Sequence, residues 1–163
     1  MARIRIIRSD EAEGQLKEAY ARIAKERGSV AEVHQVASLH PELMLAHLDF
    51  YLTLMYGRGG LSRRERELVG TVVSRTNRCE YCVTHHAEAF ARYEKDAALV
   101  EALARDPASA PLAPRDRALA DFAKRLTRDP AGIRDEDADR LRALGFEDKD
   151  ILAAGAIAAS STS

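Results

Sequence analysis

The chain has 163 residues, 46% of them hydrophobic and 31% charged, which suffices for the core of one ordinary domain and excludes disorder over most of its length. Its 25 Lys and Arg residues nearly balance its 26 Asp and Glu residues, so composition gives no basic surface for nucleic acid or an anionic membrane. No apolar run approaches the about 20 residues of a membrane span, and the first ten residues lack the apolar segment of a secretory signal, so we expect a cytoplasmic protein.

Helix signals follow one another along the first third of the chain. Ser9 is a candidate cap for a first helix that Gly28 ends, and a short apolar piece occupies residues 30–39. Pro41 stands at a first helical position and begins a strongly apolar helix that runs to Tyr56. The first helix shows the three- and four-residue spacing of a buried face, carried by Ala12, Leu16, Ala19, Tyr20 and Ile23.

The remaining two thirds continue in the same way. Ser62 and Glu65 have the spacing of a capping box for a helix that runs to about Thr76. Further helices are predicted over 79–95, 97–104, 114–130, 135–145, and from about 147 to a serine- and threonine-rich end at 160–163. Strand-like alternation is confined to residues 4–7. The sequence therefore predicts an all-α protein of seven or eight helices that form a single domain over residues 1–163.

The two cysteines are the most informative residues. Cys79 and Cys82 are the only ones, and a loop this short constrains the unfolded chain little, so a structural disulfide is a poor explanation. A helix over 79–93 places Cys82 and His86 on one inward stripe, together with Ala89, Phe90 and Tyr93. A helix N-terminus and a nearby imidazole both favour a reactive thiolate, and a second thiol three residues away can close a disulfide on the oxidised first. We therefore predict a redox-active dithiol.

Other interpretations of this cluster stay open. A Cys-x-x-Cys pair in a helix can consist of two buried small side chains, and His86 can be an ordinary core histidine. Zinc is a further alternative, with Cys79, Cys82 and either His85 or His86 as ligands, although no fourth Cys or His has recognisable spacing.

Glu67 on the preceding helix is a candidate partner for His86. It lies opposite the Leu/Val face of its helix, beside the small residues Gly70, Thr71 and Ser74. If the cysteine helix packs on this small-residue face, Glu67 points toward His86 and can relay its proton. Periodicity alone favours the opposite expectation, a carboxylate exposed to solvent.

The pattern formed by Glu67, Cys79, Cys82 and His86 resembles the E…CxxCxxxH signature of the alkylhydroperoxidase D and carboxymuconolactone decarboxylase superfamily. Segments 60–67, 113–119 and 126–130 are similar to its peroxidase-related branch, and the likeness spans about residues 41–158. The resemblance implies an all-α fold and an antioxidant enzyme that reduces hydroperoxides. Tyr81 departs from the pattern, since the best-known alkylhydroperoxidase has a histidine there.

The resemblance also implies a role for each residue of the pattern. Cys82 is the thiol that reacts with peroxide, Cys79 is its resolving partner, and His86 with Glu67 forms the proton relay. Decarboxylases of the superfamily generally lack the cysteine pair, which argues against that activity here. No Gly-rich nucleotide loop is present, so we expect no cofactor and no resident metal, with electrons supplied by a dithiol or a protein reductant. A non-enzymatic redox sensor or assembly module is the alternative function.

The helix from Pro41 to Tyr56 predicts self-association. It carries apolar or aromatic residues around most of its circumference, and a small domain can rarely bury such a helix alone. We expect a homo-oligomer, and the resemblance implies a trimer or a hexamer.

Overall fold

The computed structural model describes residues 3–160, and their regular secondary structure is entirely helical, with no strand. The described part contains nine α-helices, α1 (Gly14–Arg27), α2 (Glu32–Gln35), α3 (Pro41–Tyr56), α4 (Arg63–Thr76), α5 (Glu80–Ala91), α6 (Ala97–Arg105), α7 (Pro114–Arg128), α8 (Asp135–Ala143) and α9 (Asp148–Ser160), and one 3-10 turn (Pro130–Gly132). The all-α prediction is confirmed, and the ninth helix is the four-residue α2 inside the apolar piece 30–39. Within residues 3–160, no helix is both long enough and apolar enough to span a bilayer. Residues 161–163 of the predicted serine- and threonine-rich end lie outside the described residues.

Local sequence signals predicted most helix ends correctly, and the start of α1 is an exception. Pro41 begins α3, and Ser62 with Glu65 forms the predicted capping box of α4. Gly28 ends α1 in the left-handed conformation, with φ of 83°. Ser9 is not the cap of α1, however, because the helix begins at Gly14 after Glu13, which makes no side-chain capping bond.

The end of α5 differs from its prediction. The helix ends at Ala91 and not at Lys95, and the amides of Tyr93 and Glu94 both donate to the carbonyl of Phe90. The Glu94 carboxylate pairs with Arg64 at 2.7 Å, so a tertiary ion pair replaces the expected last turn. The predicted inward position of Tyr93 is therefore wrong, since this side chain is 51% exposed.

The chain forms two compact units, one ending at Thr53 and the other beginning at Leu54. The first unit contains α1, α2 and most of α3. The Tyr20 hydroxyl donates to the carbonyl of Ile7, and the amide of Ile7 donates to the Ser38 hydroxyl. Its core consists of the apolar face predicted for α1 and two residues of α3, namely Ala12, Leu16, Ala19, Tyr20, Ile23, Met44 and Leu48. The single-domain organisation over residues 1–163 stays a prediction.

His34 in the first unit gives this unit a pH-dependent stability. Its side chain is buried, and its Nδ1 has no hydrogen-bond partner among the described residues. Burial, followed by the charges of Arg27 and His47, lowers the pKa of His34 below the usual 6.5. The unfolded chain therefore binds a proton more readily than the folded one, and stability is lost as the pH falls below about 6.5.

We expect the unfolding temperature to fall between pH 7.5 and pH 5.5, and the fall to be smaller in His34→Gln because this variant has no imidazole to protonate. Thermal unfolding followed by circular dichroism at the two pH values measures both effects. His40→Gln replaces an exposed histidine of the same unit and is the control, which should retain the fall in unfolding temperature. Equal pH dependence in His34→Gln and the wild type contradicts the prediction.

In the second unit α4 is the central helix and packs against α5, α6, α7 and α9. Its Leu/Val face, predicted to be buried, is fully enclosed, and every residue from Arg66 to Ser74 is buried. The apolar partners on the surrounding helices include Phe90, Leu103, Leu119, Ala123 and Ile157. A polar residue on α4 therefore needs a partner inside the protein, because burying it without one is costly.

Candidate active site

The two cysteines lie at the start of α5 and are joined by a disulfide, with their Cα atoms 5.3 Å apart. Cys79 is the N-cap residue, and its Sγ accepts a hydrogen bond from the amide of Cys82 at 3.3 Å. The expectation that three-residue spacing at a helix start lets the sulfurs meet is confirmed. Both side chains are half-buried, so the pair is reachable from solvent.

A tight connection sets the position of this pair. Arg78 has a φ of 59°, the only positive φ at a non-glycine residue in the described chain. The next amide, that of Cys79, donates to the carbonyl of Ser74 near the end of α4. Backbone in this conformation is uncommon for non-glycine residues and is often found at functional sites. The turn therefore brings the first residues of α5 directly beside the last turn of α4.

Glu67 and His86 are in contact. Nδ1 of His86 donates to Oε2 of Glu67 at 2.7 Å, and the Glu67 side chain is only 1% exposed. The predicted contact is confirmed, and the expectation of a solvent-facing carboxylate is wrong. A carboxylate can only accept, so the imidazole hydrogen is held on Nδ1 and Nε2 is left as the basic nitrogen. His86 lies one helical turn after Cys82, the spacing at which side chains on one face meet.

Gly70 makes this contact sterically possible. A Cβ atom at this position would lie 2.5 Å from Nδ1 and 2.7 Å from Cε1 of His86. The neighbouring hydroxyls of Thr71 and Ser74 donate back to carbonyls within α4, so they need no partner on α5. The prediction that the small-residue face of α4 accepts α5 closely is confirmed.

Gly70→Ala is expected to displace the His86 ring and to break its hydrogen bond to Glu67. Hydrogen bonds to charged groups contribute about 1.5–3 kcal/mol, so we expect the reaction of the reduced Cys82 thiol with an alkylating agent to slow about 10- to 100-fold. Alanine favours a helix over glycine by up to about 1 kcal/mol, which offsets part of the steric cost to stability. The second-order rate of alkylation of the reduced protein by iodoacetamide measures the effect.

Gly155→Ala provides the matched control for this variant. Gly155 is also a helical glycine, but its added Cβ would meet only Leu126 Cδ2 at an ordinary 3.7 Å. This control should keep the wild-type rate and the wild-type or a slightly higher unfolding temperature. A Gly70→Ala variant as fast as the control contradicts the prediction.

Arg63 is the site residue that sequence reasoning missed. Its Nη2 pairs with Oε1 of Glu67, the carboxylate oxygen not used by His86. Its Nη1 donates to the carbonyl of Met55 at 2.8 Å, and its guanidinium stacks on the Tyr56 ring at 3.7 Å. The available signal was the four-residue spacing to Glu67, which is usually typical of a surface ion pair.

The charge of Glu67 is therefore compensated inside the protein. Burial acts to lower the pKa of Arg63, but the charge of Glu67 and the contacts with Tyr56 outweigh it, so the net shift of this pKa is upward. Arg63 therefore remains a cation beside Oε1 of Glu67.

Tyr81 and His85 lie on the outer side of α5. Tyr81 is 47% exposed, its ring centroid is 4.1 Å from that of His85, and Nδ1 of His85 donates to the carbonyl of Tyr81 at 2.8 Å. His85 is thus directed away from Glu67. Among residues 3–160, no three His, Cys, Asp or Glu side chains are grouped so as to hold a metal ion.

Known proteins are similar to this chain in sequence and in fold. Residues 41–125 match the carboxymuconolactone decarboxylase family, whereas no curated protein matches. A peroxidase-related protein from Silicibacter sp. TM1040 is 32% identical, with a TM-score of 0.79 over 90% of this chain and 76% of its own. The alkylhydroperoxidase AhpD core from Ralstonia eutropha JMP134, also described as peroxidase-related, is 27% identical, with a TM-score of 0.83 over 98% and 84% of the two chains.

A more distant structure has the same fold. The debrominase Bmp8 in complex with 2,3,4-tribromopyrrole is 17% identical, with a TM-score of 0.77 over 99% of this chain and 84% of its own. At this identity the likeness concerns the fold alone. The match over more than half of the chain, together with the 32% identical relative, shows that this chain belongs to the carboxymuconolactone decarboxylase family.

Proposed function

We propose that this protein is a cytoplasmic thiol peroxidase that reduces hydroperoxides through a dithiol–disulfide cycle of Cys79 and Cys82. The observation that carries the proposal is the buried hydrogen bond between Glu67 and His86, one turn from a cysteine pair able to close a disulfide. An oriented base beside a thiol is the general arrangement of an activated nucleophile. The peroxidase-related relatives favour the same chemistry.

In the first step Nε2 of His86 takes the proton of the Cys82 thiol. The start of α5 also favours the anion, because the helix dipole and free amides stabilise negative charge there. The thiolate attacks one oxygen of the hydroperoxide, the O–O bond breaks, and the leaving alkoxide takes the proton back from His86. The products are an alcohol and a sulfenic acid on Cys82.

The second step closes the disulfide. The Cys79 thiol attacks the sulfur of the sulfenic acid, water leaves, and two electrons have passed from the dithiol to the hydroperoxide. A dithiol or protein reductant then exchanges with the disulfide and restores both thiols. Cys79 already lies at the helix cap beside Cys82, so neither step requires a large movement of the backbone.

A stoichiometric experiment tests the function. Reduced protein is mixed with one equivalent of cumene hydroperoxide, and mass spectrometry follows the loss of two hydrogens while the alcohol is quantified. We expect one alcohol per disulfide, and many alcohols per protein when dithiothreitol is in excess. If the disulfide forms but excess dithiol supports no turnover, the protein is a redox sensor instead. If the reduced protein does not react with hydroperoxide at all, both the peroxidase and the peroxide-sensor functions are rejected.

A homo-oligomer, trimeric or hexameric, is part of the proposal. Exposed apolar side chains on and next to α3 support it, since Leu39, Leu43 and Phe50 are 54%, 57% and 46% exposed. Burying such side chains between copies stabilises an assembly by about 25 cal/mol per Å² of apolar surface. Light scattering at micromolar concentration should give a multiple of 18.0 kDa. A monomeric mass contradicts the proposal, and Phe50→Glu should shift the wild-type assembly toward monomers.

A further inference from the structure

A cavity of about 380 Å³ in the second unit is lined by Arg63 but by neither Glu67 nor His86. This volume is within the range of small-molecule sites. Its walls include the apolar side chains of Met55 and Leu61, the aromatic residues Tyr56 and Tyr93, a glycine-rich loop at 57–60, and the two cationic residues Arg63 and Arg66. Among the described residues that line the cavity, none is acidic.

Arg66 carries a buried charge that lacks a counter-ion. Its side chain is 94% buried, and its two hydrogen bonds go to neutral groups, the carbonyls of Leu61 and Gly59 at 2.9 and 2.7 Å. Within residues 3–160 it forms no ion pair. Burial and the nearby charge of Arg63 both lower the pKa of Arg66, as expected for a cation without an anion beside it. Buried charges in proteins are normally paired, so an unpaired cation at this position is unusual and indicates a site for an anion.

Arg63 contributes a second unused donor. Its Nη atoms bind Glu67 and Met55, but its Nε is buried and has no hydrogen-bond partner among the described residues. The cavity thus presents two cations, and Glu67 neutralises only one of them. A carboxylate bound in the cavity would supply the missing negative charge.

We propose that this cavity binds an organic carboxylate, with the anion at Arg63 and Arg66 and an apolar body against Met55, Leu61 and the rings of Tyr56 and Tyr93. The two tyrosines are about half exposed and leave the cavity open to solvent, so a ligand can enter without unfolding. Apolar walls with a few convergent polar groups are typical of small-molecule sites. This inference does not depend on the peroxidase chemistry, since it concerns binding alone.

The test compares 4-phenylbutyrate with its uncharged amide at pH 7.5 by titration calorimetry. We expect the acid to bind at least about tenfold more tightly than the amide, and Arg66→Met to remove at least about tenfold of the acid's affinity. The control Arg105→Met removes the same charge from an exposed position on α6 and should bind the acid as the wild type does. Equal binding of acid and amide, or undiminished binding in a folded Arg66→Met, overturns the proposal.

A second measurement covers the case in which Arg66→Met does not fold, because Arg66 also anchors the loop through Leu61 and Gly59. In the wild type, 4-phenylbutyrate should shift the amide NMR signals of Gly57, Gly59 and Gly60 in a saturable manner, and the amide compound should not. Inorganic phosphate serves as the third probe. If phosphate produces these shifts and 4-phenylbutyrate does not, or if none of the three probes produces them, the cavity is not a site for organic carboxylates.

Discussion

Replacing Cys82 with serine is expected to reduce dithiol-dependent hydroperoxide consumption by about 10⁴-fold or more, to the uncatalysed rate. A serine hydroxyl does not ionise near neutral pH, and loss of a nucleophile typically removes nearly all of an enzyme's rate enhancement. Serine has nearly the same volume as cysteine, and Cys82 is only half-buried, so the fold should be retained. Stopped-flow measurement of peroxide loss over a range of protein concentrations gives the rate.

Cys79→Ser separates the roles of the two thiols. This variant keeps the attacking sulfur, so it should react with one equivalent of hydroperoxide at nearly the wild-type rate and stop at the sulfenic acid. A sulfenic acid trap such as dimedone should label it at Cys82, and steady-state turnover with dithiol should be strongly reduced. Fast single turnover in Cys82→Ser together with loss of it in Cys79→Ser would show that the two roles are reversed.

Glu67→Gln is expected to slow the reaction about 100- to 10,000-fold, the range of a general acid–base contribution. The glutamine amide can donate to Nδ1 of His86, which then moves the imidazole hydrogen to Nε2. The nitrogen that faces away from Glu67 is no longer a base, so the Cys82 thiolate forms less readily. The thiolate absorbance near 240 nm as a function of pH should therefore show a higher pKa for Cys82 in the variant than in the wild type.

Loss of stability must be separated from loss of chemistry in this variant. Removing one partner of a buried ion pair costs about 3–5 kcal/mol, and Glu67→Gln leaves Arg63 without its anion. Asp116→Asn is the matched control, because Asp116 is also a buried carboxylate paired with an arginine, Arg64, at 2.8 Å. This control should lower the unfolding temperature but keep the rate of the folded protein. A Glu67→Gln variant that is folded and as fast as the control would disprove the relay.

Helix ends were predictable from sequence where the cause is local. The capping box of Ser62 and Glu65, the proline at Pro41 and the left-handed Gly28 each act within four residues, so the pattern contains the whole explanation. The end of α5 was predicted wrongly because its cause, the ion pair of Glu94 with Arg64, spans 30 residues of sequence.

The site shows the same division between local and distant causes. The cysteine pair and His86 lie on one helix, so their grouping follows from the helical period. Glu67 required the family resemblance, because helical periodicity places it away from the apolar stripe of α4 and cannot reveal that this helix is enclosed on all sides. Nothing in the spacing of Arg63 distinguishes a buried partner of Glu67 from a surface ion pair, and only the packing of the second unit does so.

The ion pair between Arg64 and Glu94 also limits how α5 can respond to oxidation. This ion pair attaches the chain just beyond the last residue of α5 to α4, and the hydrogen bond from His86 to Glu67 attaches the middle of α5 to the same helix. In the first turn, the attachments to α4 are the ion pair of the exposed Glu80 with Arg75 at 2.7 Å and the bond from the amide of Cys79 to the carbonyl of Ser74, and neither holds the side chain of Cys79 or Cys82. We therefore expect the proposed exchange between dithiol and disulfide to rearrange this turn alone and not to move the whole helix. We expect the proposed reductant to contact the surface around residues 78–83, and hydrogen exchange should differ between the two redox states there and remain equal along the rest of α5.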